Sequence, residues 1–442
     1  MELSTNVIIG LVSSIISATI FLFFFRGITA TRGMPGILSF FFFKFFLSIF
    51  IGSLALNTFD FGYSRKDILL SMCLAASACS ILMLLGAQAS NTLFRYSNRK
   101  LDFSLIPEAV NNIKPVMVFS ICSLILLISI FTLVEYRSRL GLLPIEILFS
   151  GDSSRIVLAS LRSDATSGFG GNYHWFQLAM KTLPVYLLVL TFFLKELGKK
   201  WKLVFALTLS LVIIVSVKDL QKNPIIELLI LLTVCQIVLK NKINKKLFFR
   251  ISIFAIGLII LMYMYFMGLA DRGVSAIAEY ATERVFIKQV TPFYHYFLYQ
   301  EDTGFLFGKS LPNPAGIFPF QNVPLTKEIA LHMWGKSDSM IGSAPTVFYG
   351  DWYVNFGLPG MVLSMVFLGA FLQMCDIIFS ILIRKYKNIF IISLYIFLII
   401  YFSRYALTTF VNLPFDIVIY ATTLLTLVFS LFASKKQPKI TL

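Results

Sequence analysis

Four stretches of this 442-residue sequence place charged or hydrogen-bonding side chains at spacings that suit chemistry. In the first, Asp152 or Ser153 can cap a short helix. Arg155 and Arg162, seven residues apart, would share one face of it. Two guanidinium groups on one face form a fork for a phosphate or diphosphate. A surface helix lying on a membrane with its arginines toward headgroups would show the same pattern. In the second, a helical pattern opens near Ser275 and sets Arg284, Lys288, Thr291 and His295 on one face, at offsets of 4, 7 and 11. Val285, Phe286 and Val290 back it, and Pro292 should bend or break it. Such a stripe suits a charged ligand at a membrane interface, or a solvated face beside headgroups.

The third stretch is the tight turn Lys218-Asp219-Leu220-Gln221-Lys222-Asn223-Pro224. Its tightness should hold Lys222 near the membrane surface, and Glu227, one turn on, could pair with Lys218 or Lys222. An ordinary hairpin with snorkelling lysines fits equally. The fourth is Tyr349-Gly350-Asp351-Trp352-Tyr353-Val354-Asn355-Phe356-Gly357-Leu358-Pro359-Gly360. Asp351 is a lone carboxylate among aromatics and a candidate base. Aromatics beside it could stack on sugar faces, or could form an interfacial belt. Within apolar runs, Lys44 is a central membrane charge worth testing, Lys181 lies in the outer half of its run, and Asp376 reads as a group at the cytoplasmic interface. His174 and His332 have no partner that sequence can assign.

The elements that must position these residues are membrane helices. Apolar residues make up 57% of the chain, charged ones 14%, and mean hydropathy is +0.82. A soluble domain carries about 25% charged residues, so that class is excluded, together with disordered and disulfide-framework chains. The five cysteines all fall in apolar runs. There is no Walker or dinucleotide motif, no internal repeat and no pair of broken inverted repeats. The first apolar run lacks a basic leader and reads as a retained helix. Spanning takes about 20 apolar residues. We read an all-α polytopic membrane protein with eleven spans, at 5–25, 34–56, 68–88, 115–134, 176–194, 203–217, 224–239, 251–268, 357–380, 388–403 and 415–433.

Of the 38 lysines and arginines, 21 lie in one set of short gaps and at the C-terminus, which should face the cytoplasm. The net charge of +16 is therefore largely topological rather than a sign of nucleic-acid binding. The C-terminus is then inside and the N-terminus outside. Two long loops, about 136–175 and 269–356, fall on the opposite side. The whole chain, 1–442, reads as a single membrane-embedded domain.

This layout resembles the oligosaccharide repeat-unit (O-antigen, Wzy-type) polymerases. Arg155 with Gly171 is similar to the Arg-x15-Gly pattern of that family's first loop, and Gln221-Lys222-Asn223-Pro224 to its Gln-Lys-x-Pro hairpin. The Tyr349–Gly360 segment resembles the acidic-aromatic-glycine stretch closing its second loop. Arg284 departs from the pattern, being followed at the matching distance by Gln300 rather than glycine. The histidine-rich segment usual in the related O-antigen ligases is replaced here by Gly342-Ser343-Ala344-Pro345-Thr346, which favours a polymerase.

The resemblance implies a GT-C-like glycosyltransferase of the bacterial inner membrane, metal-independent and without a cofactor, working at the periplasmic face. Donor and acceptor would be glycans on undecaprenyl diphosphate, and a chain-length regulator protein would be a further partner. An acceptor hydroxyl would attack the donor's anomeric carbon and expel the lipid diphosphate. Cations that stabilise the departing charge would then matter most. Arg155, Arg162, Lys222 and Arg284 are the expected holders, with Lys288 and Tyr349 as further substrate contacts. Asp351 is the expected base, with His295 or His332 as substitutes. The competing expectations are a lipid-linked oligosaccharide flippase or exporter and an O-antigen ligase.

Overall fold

The computed structural model describes residues 4–28, 36–94, 103–146, 169, 172–219, 222–240, 246, 249–250, 253, 257, 260, 273–313, 316–335, 343–345 and 347–435. Among these the chain is almost wholly helical, and its only β pairing is an isolated bridge between Ile113 and Ser434. In chain order the helices are α1 (Thr5–Ile28), α2 (Ile37–Thr58), α3 (Lys66–Leu93), α4 (Ile106–Asn111), α5 (Pro115–Leu140), α6 (Tyr173–Leu197), α7 (Lys199–Val217), α8 (Lys222–Lys240), α9 (Gly273–Thr282), α10 (Thr291–Thr303), α11 (Leu325–Trp334), α12 (Gly350–Tyr386), α13 (Ile389–Ser403) and α14 (Ile417–Ala433). Nine helices among the described residues are long and apolar enough to cross a membrane, and α14 is a shorter apolar helix. The chain is a multi-pass membrane protein. Ten of the eleven expected spans coincide with these helices. The expected span 251–268 lies outside the described residues, apart from positions 253, 257 and 260.

The described residues gather into two compact units. The first holds α1, α2, α3, α9 from Ala278 onward, α10, α11, α12 to Ile378 and the turn 401–415. Helices in a bilayer gain little from burying apolar surface against one another, so close backbone approach and hydrogen bonds hold them. Here α3 and α12 interlock through two glycines. A Cβ on Gly86 would lie 2.0 Å from the Val366 carbonyl oxygen, and one on Gly369 would lie 2.2 Å from that of Met83. Buried polar groups join the same pair, Ser90 donating to the Ala370 carbonyl and Gln373 to Asn91, each at 2.8 Å. Between α1 and α3, Ser17 donates to the Ser77 carbonyl at 2.7 Å.

Asp376, expected as a group at the cytoplasmic interface, is enclosed by protein. It is 1% exposed, and its two carboxylate oxygens accept the N–H groups of Ile37 (2.9 Å) and Leu38 (3.1 Å) at the start of α2. Ser39 Oγ takes the Gly36 N–H at 2.8 Å. The first N–H groups of a helix have no partner within it, and the positive end of its dipole favours an anion. A carboxylate from α12 thus caps α2 across 339 residues of sequence.

The second unit holds α4 to α8, α13 to Ile400 and α14. Ser129 on α5 donates to the Ala179 carbonyl at 2.7 Å, inside a π turn of α6 at Leu178–Thr182. That turn also carries Lys181. Tyr186 shares a 2.9 Å hydrogen bond with Thr426 of α14. One end of this unit gathers three of the segments expected to share a membrane side. Lys387 pairs with Glu108 at 3.0 Å, Lys114 Nζ donates to the Phe432 carbonyl at 3.2 Å and Lys435 Nζ to that of Asn111 at 2.9 Å.

Replacing Asp376 tests the capping role. Asp376→Ala orphans two N–H groups at about 1–3 kcal/mol each. It should lower the thermal midpoint in detergent well below that of Asp376→Asn, which keeps one acceptor. Equal midpoints for the two variants would remove the cap from the stability of the unit.

Candidate functional site

The fourth stretch marked by sequence is where α12 breaks. Gly357 has φ 64° and ψ −154°, a conformation open essentially to glycine alone. Pro359 has no N–H, so the carbonyl of Asn355 has no donor four residues ahead. The 305–308 segment supplies what the break removes. Leu306 N–H donates to the Val354 carbonyl and Phe307 N–H to the Asn355 carbonyl, both at 3.1 Å. The fully buried Asn355 side chain completes the knot. It accepts the Gly308 N–H at 2.8 Å and donates to Ser310 Oγ at 2.6 Å and to the Asp351 carbonyl at 2.7 Å.

Asp351 stands in the first turn of α12 and is 7% exposed. Its carboxylate accepts hydrogen bonds from the hydroxyls of Tyr296 on α10 and Thr409 in the 401–415 turn. It therefore ties three segments together from the inside. Aromatic packing surrounds it. Trp352 stacks on Phe410 at 5.9 Å, Phe348 meets Phe41 edge-on at 5.7 Å, and Tyr353 lies 4.3 Å from Phe297. Tyr349, expected to touch substrate, is instead a core residue with no exposed surface, its ring against Phe293 and Phe348.

The helix α10 has two different faces. Phe293, Tyr296 and Phe297 are buried toward Asp351 and its neighbours. His295, Tyr299 and Asp302, at i, i+4 and i+7, share the other face and look toward α11. There His295 Nδ1 lies 3.2 Å from His332 Nδ1, and His332 Nε2 lies 3.4 Å from Asp302 Oδ2. One arrangement of protons satisfies both contacts: with its proton on Nε2, His332 donates to Asp302. His332 Nδ1 then accepts from His295 Nδ1–H, which leaves a lone pair on His295 Nε2. Burial and the neighbouring His332 push the His295 imidazole down to about 4. Asp351 and the histidine pair, expected as alternatives for one task, thus occupy opposite faces of one helix.

The expected stripe of Arg284, Lys288, Thr291 and His295 is not continuous. A π turn at Glu283–Ile287 and a turn at 288–290 separate α9 from α10, and Pro292 opens α10 rather than bending it. A Cβ on Gly52 of α2 would lie 2.0 Å from the Phe286 carbonyl, so this π turn rests directly on a membrane helix. Arg284 and Lys288 are both exposed. Lys288 pairs with Glu283 at 3.4 Å and lies 4.9 Å from the Tyr280 ring centre. Thr291 faces inward, donating to the Ile287 carbonyl at 3.1 Å and accepting from the Tyr63 hydroxyl at 3.3 Å.

Sequence reading passed over Arg65. It pairs with Asp67 at 2.7 Å and with Glu301 of α10 at 3.0 Å, fastening α10 to the start of α3. Arg155, Arg162 and Gly171 lie outside the described residues. Lys222 opens α8, and its side chain lies outside them too.

In the second unit the third stretch differs from expectation. Lys218 neither snorkels nor pairs with Glu227. It is 1% exposed and pairs with its neighbour Asp219 at 2.5 Å. The Tyr136 ring centre lies 4.2 Å away, and the Lys218 carbonyl accepts the Ile145 N–H at 3.2 Å. Burial pushes the Lys218 ammonium pKa down, and Asp219 opposes that shift.

Two measurements follow from these geometries. Removing one member of a buried ion pair costs about 3–5 kcal/mol, while replacing both by apolar groups costs far less. Asp219→Ala should therefore destabilise the protein in detergent more than Lys218→Met/Asp219→Ala does. Additive losses would contradict the pairing. The histidine pair predicts a pH dependence. A depressed histidine pKa contributes its full stability above the ordinary value, near 6.5, and loses it as pH falls toward about 4. The unfolding midpoint should drop across that window, and His295→Gln should flatten the drop. Parallel curves would exclude His295 as its source.

No family model, curated protein or solved structure matches the chain.

Proposed function

We propose that the chain is an oligosaccharide repeat-unit polymerase. It would move a glycan from undecaprenyl diphosphate onto a lipid-linked repeat unit at the periplasmic face of the bacterial inner membrane. The observation that carries this reading is the junction at Gly357. There a stretch resembling that of the polymerase family sets a buried carboxylate and an aromatic wall at the start of a spanning helix, with the imidazole pair on the far face of the adjoining α10. A lipid-linked sugar presents its reacting atoms at that depth, with its tail in the bilayer.

The reaction forms a bond from an acceptor hydroxyl oxygen to the donor's anomeric carbon and breaks the bond to the diphosphate oxygen. The hydroxyl proton needs an acceptor. His295 Nε2 suits this better than Asp351, because both Asp351 and its Tyr296 donor are buried. Asp351 then acts by holding α10, α12 and the 401–415 turn in register. The leaving diphosphate is a good leaving group once its charge is met by cations. Among the described residues Arg284 is the exposed arginine of the second loop available for that task, and Arg155, Arg162 and Lys222 are the candidates elsewhere.

The test is a gel of surface polysaccharide from a strain of the native host lacking this protein. The expected pattern is core carrying a single repeat unit, restored to a full ladder by the wild-type chain. Uncapped core would overturn the reading in favour of a ligase or flippase. Arg284→Ala and His295→Gln should each reduce chain length at unchanged protein level. Full ladders from both would remove these residues from the chemistry.

A further inference from the structure

The segment between α10 and α11 carries exposed aromatics in an unusual backbone. Gly304 (φ 76°) ends α10 and Gly308 (φ 91°) follows four residues on. Between them Phe307 has φ 48°. That left-handed conformation is unfavourable for a residue with a Cβ and worth a functional question. The ring gains no burial in exchange, since Phe307 is 75% exposed. What holds the strain is the Phe307 N–H bond to the Asn355 carbonyl, left without a helical donor by Pro359.

A second edge of the same loop behaves alike. Asn313 accepts the Phe318 N–H at 2.9 Å and donates to the carbonyls of Phe318 and Phe320, each at 3.0 Å. The loop is closed by Val323 N–H on the Lys309 carbonyl at 2.8 Å and by Asn322 on the Leu311 carbonyl at 2.7 Å. This polar latch leaves Ile317 72% exposed and Phe318 49% exposed. The apolar surface is therefore built by a hydrogen-bonded scaffold that displays it.

Its position identifies the occupant. The Phe305 ring lies within 3.0 Å of where a Cβ on Gly357 would stand. One residue later Leu358 begins the apolar stretch of α12 that carries the exposed Leu363 and Phe367. Phe305, and Phe307 at 6.0 Å from it, thus adjoin the exposed apolar surface of a spanning helix near its start. Lys309, exposed and two residues beyond Phe307, adds a cation suited to anionic headgroups.

We infer that residues 304–313 and 316–323 form a membrane-inserted anchor, whose exposed Phe307 and Ile317 enter the leaflet, Phe307 where α12 starts. The inference is independent of the polymerase reading. It rests on continuity with a membrane helix, on strain maintained at an exposed aromatic and on the adjacent lysine.

The experiment uses the full chain in vesicles of phosphatidylcholine and phosphatidylglycerol. A nitroxide is attached at Phe307→Cys, with Ile317→Cys as an independent second site, and the signal of the five native cysteines is subtracted using the parent chain. Collision with oxygen, which partitions into lipid, is compared with collision with a water-soluble nickel chelate. The oxygen-to-nickel ratio should be several-fold higher at 307 and 317 than at the exposed control Lys327→Cys. Ratios equal to the control at both sites would overturn the inference. Protection from both agents with spin–spin broadening would also overturn it, assigning the surface to a second copy of the chain. Phe307→Gly, which suits the positive φ, should keep the unfolding midpoint while lowering the ratio at 317.

Discussion

A membrane helix that stops being a helix releases backbone carbonyls into a medium with no water to satisfy them, so the donors must come from protein. Gly357 and Pro359 make such a break, and the Leu306–Gly308 backbone answers it. Most of what surrounds the candidate site follows from that exchange. It fixes the 304–323 loop against α12 and sets the strained turn at Phe307. Through Asn355, it also locks the first turn of α12, and hence Asp351, to the loop. Asp351 in turn reaches Tyr296 and Thr409, so the break is coupled to α10 and to the 401–415 turn. The site is a set of polar obligations created by one local failure of helix geometry and met by neighbouring segments.

The same logic operates at the opposite end of this unit with a different donor and acceptor. At the start of α2 the orphan groups are N–H donors, and Asp376 supplies oxygen from α12. Along α12, then, backbone carbonyls are satisfied by a loop near one end and a side chain satisfies a neighbour's backbone near the other. The glycines between them let α3 approach to backbone contact. Gly52 performs the equivalent service on α2, where it seats the π turn that precedes α10.

The membrane helices were legible because a run of apolar residues is a signal along one dimension, needing no knowledge of what packs where. Ten expected spans match helices, most of which extend a few residues further at one end or both. The break in α12 was not read: the expected span starts at 357, whereas α12 begins at Gly350 and breaks at Gly357. Other features were not legible, because they depend on partners far apart in sequence. Asp376 caps a helix 339 residues away, and His295 meets His332 across two helices and 37 residues. The stripe through Arg284 and His295 failed for a local reason. A π turn and a three-residue turn shift the helical phase, and neither has a compositional signature. Tyr349 looked like a sugar platform because aromatic type alone does not distinguish a wall from a core.

The ion pair at the end of α7 has a consequence for how the chain enters the membrane. Lys218 and Asp219 are neighbours in sequence, so their attraction requires no tertiary structure. Asp219 can neutralise Lys218 as soon as the pair leaves the ribosome, before any helix has packed. A lysine whose partner lay on a distant span would have to cross or wait at the bilayer as a bare charge. Here the Lys218 charge travels with its counterion as a compact dipole. Assembly then only has to supply Tyr136 and the Ile145 backbone, which close over a pair already made.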